Sequence, residues 1–110
     1  MELETRKEVL KSYAAFCDYI IIQTNNKWAT TEEHHFRINR QTEKACYVNF
    51  KITDMREFDN VTGKRVYPEG TFQDDTYIQF WCPKKFMGWN MSTIPYWFVK
   101  EKIQEFLATN

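Results

Sequence analysis

The first periodic stretch of the chain has the spacing of an amphipathic helix. Thr5 and Glu8 stand three positions apart, as in a capping box, where a hydroxyl and a carboxylate satisfy the first free amides of a helix. The polar run Gln23–Asn26 ends the apolar pattern. The pattern therefore predicts a helix from about Thr5 to about residue 23. Its apolar face carries Leu10, Tyr13, Ala14, Cys17, Ile20 and Ile21.

The middle of the chain changes to the alternation that is typical of β-strands. His34 to Arg40 alternates weakly, with Phe36 and Ile38 on the apolar side. From Ala45 to Thr53 every second residue is apolar, which predicts a strand with one buried face. Those apolar positions are Cys46, Val48, Phe50 and Ile52.

Two more strands are predicted further along. Asp59–Gly63 has the composition of a turn, and Lys64 to Tyr67 is expected to return as a short partner strand. Thr76 to Cys82 alternates again, with Ile78, Phe80 and Cys82 on the apolar side. Pro83 ends this strand, because proline cannot donate a hydrogen bond to the ladder.

The last part of the chain predicts a second helix. Tyr96, Val99, Ile103 and Phe106 share one helical face. Ser92 or Thr93 is expected to cap this helix, with Pro95 in its first turn. The order is then an N-terminal helix, an antiparallel meander sheet of three to four strands, and a C-terminal helix. We predict a two-layer α+β fold, with the helices on one face of the sheet and residues 1–110 in one compact domain.

The segment from Trp81 to Phe98 is rich in aromatic residues but spans three predicted elements. Trp81 falls on the polar side of its strand, opposite in phase to its apolar neighbours. Trp89 falls in the connecting segment 83–94. Trp97 shares the polar side of the last helix with Glu101 and Gln104. We therefore expect exposed tryptophans rather than one aromatic core cluster.

Composition supports a folded domain with an ordinary core. The 110 residues include nine Phe, six Tyr and four Trp, with 43% hydrophobic and 27% charged residues. Disordered chains are poor in such apolar residues. The formal net charge is zero, so no overall field favours nucleic acid or an anionic membrane as the partner. The longest aliphatic run, Ile20–Ile22, is too short to span a bilayer, and no apolar leader follows Met1. We expect a cytoplasmic protein.

Cysteines and histidines are the candidates for chemistry. Cys17, Cys46 and Cys82 fall on apolar faces, where burial raises the pKa of a thiol, and they are expected to be reduced. His34 and His35 are adjacent, so on a strand they point to opposite faces and cannot bind one ion together. We predict no catalytic residue, no cofactor and no metal. A small-ligand-binding or hydrolytic enzyme that uses His34 and His35 stays as an alternative.

The polar faces of the predicted strands combine aromatic, amide and cationic side chains. His35, Arg37 and Asn39 are expected on the first of these faces. Tyr, Trp and Arg are enriched at the energetic centres of protein–protein interfaces. The candidate partner-binding residues are Arg37, Tyr47, Asn49, Lys51, Tyr77, Gln79, Trp81, Trp89 and Trp97.

These residues predict a small non-enzymatic module that binds another protein. Single-stranded nucleic acid is an alternative, because aromatic rings stack on bases and cations contact phosphates. Zero net charge favours the protein partner. Self-association through this face, or its covering by segment 83–94, are further alternatives. A compact chain rich in Lys, Asn, Ile and Phe is also typical of phage or mobile-element inhibitors of a host protein.

Overall fold

The structure is a computed structural model that describes residues 3–24, 27–31, 35–59, 61–65 and 75–109, except for the side chains of Arg65 and Trp89. Two long helices stand at the ends of the chain and strands lie between them. The elements, in chain order, are α1 (Leu3–Gln23), β1 (Trp28–Thr30), β2 (Phe36–Gln41), β3 (Ala45–Ile52), β4 (Phe58–Asp59), β5 (Lys64–Arg65), β6 (Thr76–Pro83), β7 (Thr93–Pro95) and α2 (Tyr96–Thr109).

The principal sheet has three antiparallel strands in the order β2-β3-β6. The eight residues of β3 pair in continuous register with the eight of β6, from Ala45 opposite Pro83 to Ile52 opposite Thr76. Two short antiparallel ribbons, β1-β7 and β4-β5, accompany this sheet. Strands β2 and β6 are therefore the two edges of the principal sheet.

The alternation along β3 and β6 creates the core. Every second residue of each strand is buried, and both helices pack over that face. The Phe50 ring of β3 lies 6.2 Å from the Tyr13 ring of α1, and the Phe80 ring of β6 lies 5.8 Å from the Phe98 ring of α2. An ion pair between Lys100 and Asp18 joins the two helices. Burial of this continuous apolar surface is the main source of stability.

The predicted α+β fold with two terminal helices is confirmed. The predicted face of α1 is buried or half-buried, with Leu10, Tyr13 and Cys17 in the core. The short partner strand is present at Lys64–Arg65, although it pairs with β4 rather than with the principal sheet. Val66 and Tyr67, the rest of that prediction, lie outside the described residues.

Both predicted helix starts were wrong. Thr5 already lies inside α1, so it does not cap that helix. Thr93–Pro95 forms β7, which pairs with β1, and α2 begins only at Tyr96. The amide of Tyr96 donates to the carbonyl of Lys27 at 3.0 Å, so the first residue of α2 is bonded to the residue that precedes β1. Within the described residues, neither helix combines the length and the apolar character that crossing a bilayer requires.

Candidate functional site

The face of the principal sheet that turns away from the helices is the candidate site, and we name it the exposed sheet face. Register brings side chains from different strands together there, with Arg37 beside Asn49 and Tyr47 beside Trp81. Two of its aromatic residues are unusually open, Tyr77 at 53% and Trp81 at 42% exposure. The face consists of Arg37, Arg40, Tyr47, Asn49, Lys51, Tyr77, Gln79 and Trp81.

A β-bulge decides which β2 side chains reach this face. Ile38 pairs with Val48, but the next pair joins Arg40 to Tyr47, so Asn39 is an additional residue in the strand. Without the bulge, strict alternation would turn Arg40 toward the core with Ile38, and burying an unpaired charge is strongly unfavourable. The bulge turns Arg40 outward instead. Asn39 is exposed at the bulge, and Arg40 is the site residue that sequence patterns missed.

Arg40, Tyr47 and Trp81 form a compact group that we name the Arg40 cluster. The ring centroids of Tyr47 and Trp81 lie 5.0 Å apart, with the ring planes at 46°. The guanidinium carbon of Arg40 lies 5.0 Å from the Tyr47 centroid and 5.8 Å from the Trp81 centroid. A cation over two aromatic faces is held by attraction to their quadrupoles. The three side chains are therefore mutually positioned without a partner.

Gln79 extends the cluster toward the edge of the sheet. The Tyr47 hydroxyl donates to Gln79 Oε1 at 3.0 Å. This bond joins β3 to β6 on the exposed side and orients both side chains. Side chains that are already ordered lose less conformational entropy when a partner binds.

The other end of the exposed sheet face is held by an ion pair. Lys51 Nζ lies 3.4 Å from Asp75 Oδ2, and Asp75 Oδ1 accepts from the Asp54 amide at 3.1 Å. Lys51 and Tyr77, together with Arg37 and Asn49, line an open hollow beside this pair. The hollow is open to solvent, whereas sites for small molecules enclose most of their ligand.

Charge on the three strands has one sign. β2, β3 and β6 contain Arg37, Arg40 and Lys51 but neither Asp nor Glu. Asp75, which precedes β6, balances Lys51 alone. The exposed sheet face is therefore locally cationic on a chain whose formal net charge is zero.

Trp97 lies apart from the exposed sheet face. It projects from α2 and is 43% exposed. Its ring centroid lies 5.3 Å from that of Phe86 and 5.7 Å from that of Phe98. Phe86 also contacts Phe98 at 5.6 Å, so this part of segment 83–94 packs against α2 rather than over the sheet. Trp89 lies in a 3₁₀ turn, Trp89–Met91, and its side chain lies outside what the structure describes.

His35 also lines the open hollow, but its ring does not lie on the exposed sheet face. The expectation that His35 lies on it was wrong, because its ring lies 6.4 Å from that of Phe50 and 6.3 Å from that of Tyr96, on the core side. His34 lies outside the described residues. In the part of the chain that the structure describes, no three metal-ligating side chains converge.

The three thiols are buried and none forms a disulfide. Burial raises the pKa of Cys82 to about 11, with a smaller contribution from Cys46, its direct neighbour across the sheet. Burial also raises the pKa of Cys17 far above its ordinary value, with the Asp18 carboxylate adding to the effect. Both thiols are therefore protonated, and weak as nucleophiles, near neutral pH.

Comparison with known proteins does not assign a function to this site. No family model, no curated protein and no solved structure matches the chain.

Proposed function

We propose that this protein is a non-enzymatic binding module that recognises another protein through the exposed sheet face. The observation that carries the proposal is the Arg40 cluster, in which a cation lies over two aromatic rings on an open surface. Arg, Tyr and Trp dominate the few residues that supply most of the energy in protein interfaces.

The side chains of the Arg40 cluster also lie outside the hydrophobic core that stabilises the fold. Trp81 keeps 42% of its surface exposed, and its direct neighbour Tyr47 lies on the same face. The core forms from the opposite faces of the same strands. An exposed aromatic group that the core does not require is typical of an interaction site.

The charge of the face indicates the chemistry of the partner. Arg37 and Arg40 have no acidic residue beside them on the three strands. We infer a partner surface that carries carboxylates around an apolar or aromatic centre, because complementary charges direct encounter and orientation. Occupation of a host protein's working surface in this way would inhibit it, in keeping with the inhibitory role suggested by composition.

A matched pair of tryptophans provides the test. Tagged wild-type protein, Trp81→Ala, Tyr47→Ala and Trp97→Ala are used to capture the partner from an extract of the source cells. Mass spectrometry identifies the partner, and calorimetry with the purified partner gives the affinity. We expect Trp81→Ala and Tyr47→Ala to weaken binding by about 2 kcal/mol or more while a cooperative thermal melt is retained.

Trp97→Ala is the control, because Trp97 is as exposed as Trp81 but lies on α2. Its affinity should stay near that of the wild type. Loss of binding in Trp97→Ala with full binding in Trp81→Ala would place the site on α2 and contradict the proposal.

Single-stranded nucleic acid is the second candidate, favoured by the absence of acidic residues from β2, β3 and β6. Stacking on Tyr47 and Trp81 with phosphate contacts from Lys51 would give weak binding that falls steeply with salt. Fluorescence polarisation with short oligonucleotides at physiological salt tests this candidate. Submicromolar affinity that is lost in the double variant Tyr47→Ala with Lys51→Ala would favour it over the protein partner.

A further inference from the structure

The two edges of the principal sheet differ in how they are protected. β2, at one edge, contains the bulge at Asn39 and the charged residues Arg37 and Arg40. Bulges and charges on an edge strand discourage another strand from pairing with it. β6, at the other edge, pairs with β3 through eight consecutive residues without a register shift, and its sequence TYIQFWCP contains no charged residue. Among the described residues no strand pairs with the outer side of β6, so this edge is available for pairing.

The hydrogen-bonding pattern shows which groups of β6 face outward. The amide of Lys84 donates to the carbonyl of Lys44 at 2.8 Å, so even-numbered residues of β6 point their backbone groups toward β3. Odd-numbered residues then point theirs toward the open edge. Arg6 confirms this direction, because its Nη2 reaches the Tyr77 carbonyl from that side at 2.9 Å.

Gln79 and Trp81 therefore present backbone donors and acceptors along the open edge. Among the described residues, none pairs with these groups to continue the sheet. The Tyr77 carbonyl keeps a second acceptor position beside Arg6, since a carbonyl oxygen has two lone pairs. The segment from Tyr77 to Trp81 can accept an antiparallel strand whose amide shares the Tyr77 carbonyl with Arg6 or displaces that side chain.

This segment is complementary to itself. A two-fold axis at Gln79 places Tyr77 of one copy opposite Trp81 of the other, on the face where both rings are exposed. It also places Ile78 opposite Phe80 of the other copy on the core side. Aromatic and apolar pairs directly opposite one another stabilise antiparallel strands.

The surroundings of the edge permit a second copy to approach. A groove runs beneath the edge between β6 and α2, lined by Ile78, Phe80 and Phe106. The charged groups beside it, Lys102 and Glu105, pair with each other at 3.0 Å. These two charges therefore neutralise each other, and Arg6, on the Tyr77 carbonyl, is the further cation that the described residues place at this edge.

We propose that two copies of this chain pair antiparallel along β6, with a two-fold axis at Gln79, to form a continuous six-stranded sheet. The dimer does not depend on the partner proposed above. It joins the two exposed sheet faces and brings two Arg40 clusters onto one surface.

Charge at the axis gives a sharp test. Because Gln79 would lie opposite itself, Gln79→Lys places two ammonium groups together and Gln79→Glu places two carboxylates together. Sedimentation equilibrium over a series of protein concentrations is expected to show a dimer for the wild type. For each variant alone the dimer dissociation constant should rise by more than about tenfold, because like charges in contact across an interface are strongly disfavoured.

Mixing the two variants in equal amounts should restore the dimer, because lysine then lies opposite glutamate. Asn49→Lys is the matched control, since it adds the same charge to the same face one strand further from the edge. Its two lysines would stand about 14 Å apart, from three strand spacings, which exceeds the screening length in physiological salt. The control should therefore remain a dimer.

Amide hydrogen exchange gives an independent measure of the same contact. The amides of Gln79 and Trp81 should gain protection as the wild-type concentration rises, and those of Gln79→Lys should not. Thermal melts check that each variant folds. If Gln79→Lys fails to fold, Gln79→Glu carries the test, because it keeps an acceptor for the Tyr47 hydroxyl.

Three outcomes would overturn the proposal. If the wild type stays monomeric at every concentration, β6 does not pair with a second copy, and only a strand of a different protein could pair with this edge. A dimer that withstands Gln79→Lys and Gln79→Glu would use another surface, such as the exposed sheet face itself. Variants that dissociate but do not recombine when mixed would show that the axis does not pass through Gln79.

Discussion

Tyr47 and Trp81 are direct partners across β3 and β6, and their rings lie 5.0 Å apart on the face opposite the core. The neighbouring pair in the same strands, Val48 and Phe80, points inward and is buried. One step along the two strands thus separates an exposed pair, where we propose that a partner binds, from a buried pair that belongs to the core. Substitutions at these two pairs should therefore affect binding and stability separately.

Trp81→Ala should lower the free energy of unfolding by no more than about 1 kcal/mol, because the lost contacts are one aromatic pair and one cation over a half-exposed ring. Urea denaturation followed by circular dichroism measures this value. A loss of about 3 kcal/mol or more is typical of a buried tryptophan and would contradict the position of Trp81 on the exposed sheet face.

Phe50→Ala should instead destabilise the domain by about 3–5 kcal/mol, because it removes a fully buried ring from the centre of the core. The Phe50 ring contacts Phe36, stacked at 6.0 Å, and Tyr13. Tyr77→Ala is the control, as an aromatic residue of the same sheet with 53% exposure. At concentrations where the protein is monomeric, it should change stability by less than about 0.5 kcal/mol. Equal losses in the two variants would contradict the assignment of the sheet faces.

Gly63→Ala should destabilise the protein by about 1 kcal/mol, since Gly63 has φ 73°, a conformation that alanine adopts only with strain. Its new Cβ would also lie 2.5 Å from the Tyr19 hydroxyl oxygen, so that side chain must move. The Tyr19 ring contacts Phe58 of β4 at 5.0 Å, which couples the turn to α1. Val61→Ala, in the same turn and 92% exposed, should have no measurable effect on the urea midpoint. A neutral Gly63→Ala would show that the turn relaxes freely.

The thiols should be protected until the protein unfolds. Titration with a thiol reagent near neutral pH should find three reactive groups in denaturant and few without it, and prior reduction should change neither value. Cys17, Cys46 and Cys82 are all buried, which blocks access of the reagent to the three thiols. Rapid reaction of one cysteine in the folded protein would contradict this arrangement.

Alkaline pH should weaken the fold through Cys82. Its pKa rises from an ordinary 9.0 to about 11 in the folded state, so the unfolded chain releases this proton first. The contribution is fully present below pH 9 and is lost as pH rises toward about 11, because the unfolded state then binds fewer protons than the folded state. Urea midpoints across this window should fall less steeply for Cys82→Ala than for the wild type. Identical slopes would assign the effect to other groups.

Patterns that repeat over many residues were sufficient to predict most of the fold. β3 and β6 alternate without interruption over eight residues, and α1 repeats its apolar face over five turns, so local sequence and burial agree. β1 and β7 were missed because three residues cannot establish a period. The two strands pair with each other although their residues are more than sixty positions apart in the chain, as Trp28 and Pro95 are.

The candidate site was predicted less completely because a single residue changes the phase of β2. Tyr47, Gln79 and Trp81 follow their strands' alternation and were identified. Arg40 was missed, although a charged residue in phase with Phe36 and Ile38 was a signal that the strand must break its alternation. His35 was misplaced because it precedes β2, where the alternation does not yet apply.

The extra residue at Asn39 also limits how large an assembly of this chain can become. In the proposed dimer, both β6 edges are consumed at the two-fold axis, and a bulged, arginine-bearing β2 ends the sheet on each side. A third copy finds no edge of the required geometry there. If the dimer forms as proposed, growth would stop at a closed pair instead of continuing into a fibre, because the extra residue at Asn39 protects the remaining edge of each copy from pairing.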